Sequence, residues 1–317
     1  MSIHLDSRSP EQYRVLLAKY DTWMFDCDGV LWSGDRLIDG AVEVLDILRR
    51  ESAYKSLSPL LWTVDVLLCH TKELICKISR KNYKKKFDDL GIEASVDEVF
   101  GSAYAAAVYI SSVMKLPKDK KVYIIGMSGL EEELTNEGVA FVGGTDPADN
   151  VLKPPSHGIP PDPSIGAVLV GLDTSINYYK LSKAFRYLHS NPSCAFLATN
   201  EDSTFPSDKG LLPGAGAVLS PLTTALGPSR PVTSIGKPSG LMLDCIKAKH
   251  NFDPARTIMV GDRLNTDIQF GKNGGLATLL VLTGVTAEEN LTGPDASSIV
   301  PDYVTQSIGD LRIIKGA

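Results

Sequence analysis

Two hydrophobic periods alternate along this chain. Short apolar runs of strand length are separated by longer segments in which apolar residues recur every three or four positions. The runs 22–26, 121–125, 167–170 and 195–198 predict buried β-strands. Helical spacing predicts a helix over 9–20, with Ser9 as N-cap, Pro10 first, and Tyr13, Leu16 and Leu17 on one side. Further helices are predicted over 40–50 (Val44, Leu45, Leu48 inward), 79–90 (Tyr83, Phe87, Leu90, ended by Gly91), 102–114, 128–137 and 177–189. In the last of these, Tyr178, Leu181, Phe185 and Leu188 read as core. The stretch 143–164 is rich in Gly, Pro and Asp and reads as a surface loop. Strand and helix alternate throughout, which predicts an α/β fold built on a doubly wound, mostly parallel sheet.

Chemistry-bearing residues fall where the predicted strands end. The run Thr22-Trp23-Met24-Phe25 leads into Asp26-Cys27-Asp28-Gly29. Side chains two apart on an extended strand point the same way. Two like charges so aimed repel unless a cation or a proton lies between them. Gly29 then allows a sharp turn. A carboxylate nucleophile, a carboxyl that moves protons and a hard cation would suit this arrangement. A solvated Asx-turn is the alternative for the segment taken alone. A second run, Thr257-Ile258-Met259-Val260-Gly261, ends in Asp262, and Asp267 follows near a predicted helix start. A third, Val232 to Ile235, is followed by Gly236-Lys237-Pro238-Ser239, where Pro238 stops the strand.

These three blocks, in this order and spacing, resemble the haloacid-dehalogenase-like hydrolases, in particular the 4-nitrophenylphosphatase and phosphoglycolate phosphatase branch found in fungi. The resemblance covers most of residues 17–50 and 79–317. It implies a catalytic core made of residues 1–101 and 232–317, and an inserted α/β cap domain over 102–231. It also implies a phosphatase of small phosphate monoesters such as 2-phosphoglycolate, with 4-nitrophenyl phosphate as an artificial substrate. On this basis Asp26 is the nucleophile that forms an aspartyl-phosphate, and Asp28 the general acid and then base. Lys237 holds the phosphoryl oxygens. Asp26, Asp28 (through its backbone carbonyl) and Asp262 are the Mg²⁺ ligands, with Asp267 as the supporting acid. Gly29, Asn200 and Asp202 join Lys237 as substrate-binding residues. A homodimer through the cap is the implied assembly, and a phosphomutase or phosphotransferase on the same core is the rival chemistry.

Composition narrows the setting. The 317 residues suffice for two domains, and 43% hydrophobic with 22% charged residues is ordinary for a globular protein. A net charge of −6 argues against a nucleic-acid partner. The run Lys84-Lys85-Lys86 reads as a solvated face. Five scattered cysteines, a polar Met1 to Pro10 and no apolar run of transmembrane length predict a cytoplasmic protein with no membrane partner.

One family block is missing. Where relatives carry a strand followed by Thr-Asn-Asn, this chain has the longer segment 58–78, with Pro59 poorly placed for a central strand. Two explanations stand. The segment is a translated intron or gene-model error, or it belongs to a divergent homologue that uses Thr63, Thr71 or Ser79 instead. If the segment is genuine, a central strand is damaged; a catalytically impaired homologue or a mis-spliced product that only binds ligand is the alternative to the phosphatase.

Overall fold

The computed structural model describes residues 2–55, 65–70, 79–151, 158–207, 210–293 and 296–316. They form two compact units. One comprises Met1–His70, Lys84–Phe100 and His250–Ala317; the other comprises Thr71–Tyr83 and Gly101–Lys249. The second unit thus takes in more chain than the 102–231 expected of an insertion, because the helix Gly240–Lys247 packs on Ser102–Val108 and the turn that follows it. Among the described residues no helix is long and apolar enough to cross a membrane.

The first unit is organised by a seven-stranded sheet. Its spatial order is Ile3–His4, Tyr303–Thr305, Ala277–Val281, Thr257–Gly261, Thr22–Phe25, Asp65–His70 and Val99–Gly101. Every pairing from Ile3–His4 to Asp65–His70 is parallel. Fully apolar strands such as Trp-Met-Phe and Ile-Met-Val suit a sheet covered on both faces, where no side needs to be polar. The helix Pro10–Lys19 buries Tyr13, Leu16 and Leu17, as its spacing predicts. In Ala41–Lys55 the buried face includes Val44, Leu45 and Leu48. In Arg80–Asp89 the buried face is Tyr83 and Phe87, and Gly91 ends the element at φ +70°.

The lysine run behaves as a surface. Lys84 pairs with Asp88 one turn on, and Lys86 donates to the Gly34 carbonyl over the Trp32 ring.

Within 58–78, the described residues Asp65–His70 form a strand. Asp65–His70 lies beside Thr22–Phe25 with Thr22 opposite Asp65 and Phe25 opposite Leu68. The expectation of a damaged central strand is therefore corrected: Val-Leu-Leu-Cys has the apolar character that a central position requires. Pro59, Thr63 and Thr71 lie outside the described residues. Ser79 is buried, and its hydroxyl accepts the Asn82 N–H at the start of Arg80–Asp89. That is a capping role.

The second unit carries a five-stranded parallel sheet in the order Thr233–Ser234, Ala195–Ala198, Ile165–Val170, Lys121–Ile125, Phe141–Gly143. The helix Tyr178–Ser190 is capped by the Asn177 side chain, which accepts from the N–H groups of Tyr179 and Lys180. Leu181, Phe185 and Leu188 pack in or against the core as expected, and Tyr178 does not. Lys180, Ala184, Tyr187 and Leu188 are buried, whereas Tyr178 is 70% exposed and Leu181 and Phe185 are only partly covered. Lys180, a charged residue, takes an inward position, where its Nζ donates to the Asp173 carboxylate at 2.6 Å with both groups buried.

Candidate functional site

In a doubly wound sheet, ligands bind beyond the carboxyl ends of the strands where the strand order reverses. Here the reversal lies between Thr22–Phe25 and Thr257–Gly261: later strands continue to one side of the first and return on the other. Phe25 is in register with Val260, and Asp26 N–H donates to the Val260 carbonyl at 2.9 Å. Asp26 and Asp262 thereby emerge side by side.

Asp267 joins them from the turn Leu264–Ile268. Carboxylate oxygens of Asp26, Asp262 and Asp267 all lie within 4.8 Å of one another, and all three residues are buried. Three buried carboxylates so close repel strongly unless a cation offsets them. Among the described residues this is the group suited to a metal ion, and its all-oxygen donors fit a hard ion such as Mg²⁺.

The backbone is shaped around these acids. The N–H groups of Val30, Leu31 and Trp32 converge on the Cys27 carbonyl at 3.2, 2.7 and 3.2 Å, closing the turn that carries Asp28 and Gly29. Gly29 sits at φ +84°, and a Cβ there would lie 2.5 Å from Asp262 Oδ2. Only glycine satisfies both conditions. Asp262 is held by its own contacts: Val285 N–H donates to Oδ2 at 2.7 Å, and Thr286 N–H to its main-chain carbonyl at 3.1 Å. Asp267 Oδ2 accepts the Arg263 N–H at 3.1 Å.

The remaining expected residues gather in the second unit. The strands Ala195–Ala198 and Thr233–Ser234 are neighbours, so Asn200 and Lys237 follow adjacent strand ends. Gly236 N–H donates to the Thr199 carbonyl at 2.8 Å, and a Cβ on Gly236 would lie 2.6 Å from that oxygen and 3.4 Å from Asn200 Cβ. Asn200 and Lys237 are both buried, and Asp202 is half-buried. The Asp202 carbonyl accepts from Gly216 N–H at 2.9 Å, which ties the 199–202 turn to the glycine-rich 214–216 segment. Asp26, Asp262 and Asp267 thus form one group, Gly29 lies against Asp262 and Asp28 precedes it in the same turn, and Lys237, Asn200 and Asp202 lie in the other unit. The loop 283–286, which holds Asp262, ends the family-like run Ala277–Thr286, but the sequence assigns it no role at the site. Its signal is a glycine three residues past the apolar strand Ala277–Val281.

The site and sheet define a class, and comparison with known proteins agrees with it. The family model described as haloacid dehalogenase-like hydrolase matches residues 23–140, and a HAD-hydrolase-like model matches 234–311. The chain belongs to the haloacid-dehalogenase-like hydrolases. It is 44% identical over 311 residues to the 4-nitrophenylphosphatase of Schizosaccharomyces pombe, covering 96% of this chain and 97% of the relative. It is 40% identical over 306 residues to phosphoglycolate phosphatase 2 of Arabidopsis thaliana, covering 96% of each. Among solved structures, the p-nitrophenyl phosphatase from Archaeoglobus fulgidus superposes with a TM-score of 0.74 at 26% identity, covering 94% of this chain and 100% of that one.

Proposed function

We propose that this chain is a Mg²⁺-dependent phosphoric monoester hydrolase that acts through an aspartyl-phosphate on Asp26. Its substrates are small phosphorylated metabolites of the 2-phosphoglycolate type. The observation that carries the reading is the buried Asp26–Asp262–Asp267 group at the strand switch point.

Asp26 attacks phosphorus through a carboxylate oxygen, and the bond from phosphorus to the leaving oxygen breaks. Asp28 gives that oxygen its proton, then takes a proton from the water that attacks the acyl phosphate. Asp26 is regenerated and inorganic phosphate leaves. Lys237, assigned by its Gly-Lys-Pro-Ser motif, holds the phosphoryl oxygens. Gly29 keeps the turn free of a side chain beside the substrate, and Asn200 and Asp202 contact its organic part. The carboxylates of Asp26 and Asp262 and the carbonyl of Asp28 would hold Mg²⁺, with Asp267 in support. When bound, the ion neutralises the negative charge that otherwise repels a carboxylate nucleophile from a phosphate.

A homodimer through the cap and a cytoplasmic setting without nucleic-acid or membrane partners complete the proposal. The ligand-binding-only alternative is not favoured: the relatives matched over 96% of the chain are named as phosphatases, and the strand Asp65–His70 is in place.

Hydrolysis of 4-nitrophenyl phosphate and 2-phosphoglycolate, with and without Mg²⁺, tests the reading. Mg²⁺-dependent release of inorganic phosphate supports it. Transfer of the phosphoryl group to a sugar hydroxyl would favour the mutase chemistry. No turnover from a folded, monodisperse protein would return the ligand-binding alternative.

A further inference from the structure

We propose that Thr283 is a positioning residue that holds the two halves of the metal site in register, an inference that rests on the metal-dependent reading above. The candidate ligands come from two separate pieces of chain, the 26–29 turn and the Asp262 strand end. The loop 283–286 grips both. Thr283 Oγ1 donates to the Gly29 carbonyl at 2.6 Å. Two residues on, Val285 N–H donates to Asp262 Oδ2 at 2.7 Å. Gly284, between them, must lack a side chain, because a Cβ there would lie 2.5 Å from both Asp262 Cβ and Cγ.

The grip bears on Asp28 through peptide geometry. Gly29 N–H donates to the Trp32 carbonyl at 2.6 Å. In a trans amide the carbonyl of the preceding residue points opposite to that N–H. The direction of the Asp28 carbonyl is therefore set by how Gly29 is held. Gly29 is held at its N–H by Trp32 and at its C=O by Thr283, in a left-handed conformation that glycine adopts without steric cost. Removing the hydroxyl releases one of these two restraints while leaving every proposed ligand in the chain. Groups that orient metal ligands typically affect affinity by about 10- to 100-fold.

The test is Mn²⁺ binding, followed by the loss of the free-ion electron paramagnetic resonance signal. It compares wild type, Thr283→Val, Thr283→Ser and Asp262→Asn, each checked for folding by circular dichroism. Thr283→Val keeps the shape and removes the donor; it should weaken Mn²⁺ binding by about 10- to 100-fold. Thr283→Ser keeps the donor and should bind as wild type does. Wild-type affinity in Thr283→Val, or equal losses in Val and Ser, would overturn the proposal. If the Val variant does not fold, Thr283→Ala takes its place against Thr283→Ser, with the same criteria. Asp262→Asn separates the two levels. If it loses Mn²⁺ while Thr283→Val retains it, only the grip is wrong. If Asp262→Asn also retains Mn²⁺, the metal-site reading beneath it fails as well.

Discussion

Substituting Gly261 by alanine should damage the site without touching any acid. Gly261 is the last residue of its strand, and the Asp267 side chain packs directly over it. A Cβ built there would lie 2.6 Å from Asp267 Cγ, 2.7 Å from Oδ2 and closer still to Cβ. Even the Cγ contact is about 0.8 Å inside the 3.4 Å at which ordinary contact begins. The obstructing Cβ is fixed to the backbone of the Leu264–Ile268 turn and cannot swing aside as a flexible tip would. Strand end and turn must separate, carrying Asp267 away from Asp26 and Asp262.

Overpacking of this kind costs about 1–3 kcal/mol. For a unit of this size each kcal/mol lowers the melting temperature by about 2–4 °C. A misplacement near 1 Å among catalytic groups can cost ~100-fold in rate. The variant should therefore remain folded with a lowered Tm, show kcat for 4-nitrophenyl phosphate down by about two orders of magnitude, and need about 10- to 100-fold more Mg²⁺ for half-saturation. Gly158→Ala is the control, since a Cβ there meets nothing within 4 Å. Folded Gly261→Ala with wild-type kcat and wild-type Mg²⁺ dependence would refute the argument that this glycine is set by Asp267.

Two predictions concern stability. Burial raises the pKa of Asp302, but hydrogen bonds from Lys272 and Thr278 outweigh it and hold the carboxyl below the usual range. A depressed folded pKa stabilises above the unfolded value, near 3.9, and the stabilisation is lost as pH falls through the folded value. Asp302→Asn should accordingly lower Tm at pH 7 and flatten its decline below about pH 4; parallel curves for the two proteins would contradict this. In the second unit, Lys180→Met leaves Asp173 buried without its ammonium partner and should cost about 3–5 kcal/mol in urea unfolding. Adding Asp173→Leu should recover most of that loss, since an apolar pair of similar volume needs no charge compensation.

What the sequence showed and what it hid follow from how local each determinant is. The strands that carry the acids are legible because each is a run of apolar residues that stops at an acid or glycine. Thr22–Phe25 and Thr257–Gly261 could be placed, and the motifs placed Asp26, Asp28 and Asp262 at their ends. Helix faces are legible where only packing decides them, as at Tyr13, Leu16 and Leu17. In the helix Tyr178–Ser190 periodicity predicts Leu181, Phe185 and Leu188 against the core, where they lie, but also Tyr178, which is exposed, and it does not predict the buried Lys180, which pairs with Asp173. The loop 283–286 left no periodic mark either. Its contacts join residues some 250 positions apart in one case and 23 in the other, and no local pattern encodes such a pairing. The segment 58–78 departs from the family's words, yet its apolar Val66 to Cys69 forms part of a strand at Asp65–His70 that pairs with Thr22–Phe25.

The central claim is that Asp26 becomes covalently phosphorylated during turnover. The direct measurement is acid-quench of the wild-type enzyme reacting with substrate, followed by borohydride reduction and peptide mass spectrometry. An acyl phosphate is reduced to an alcohol, so the account predicts homoserine at position 26, absent without substrate and absent in Asp26→Asn, which should also be inactive. Reduction at another carboxylate, or hydrolysis by Asp26→Asn at the wild-type rate, would contradict it.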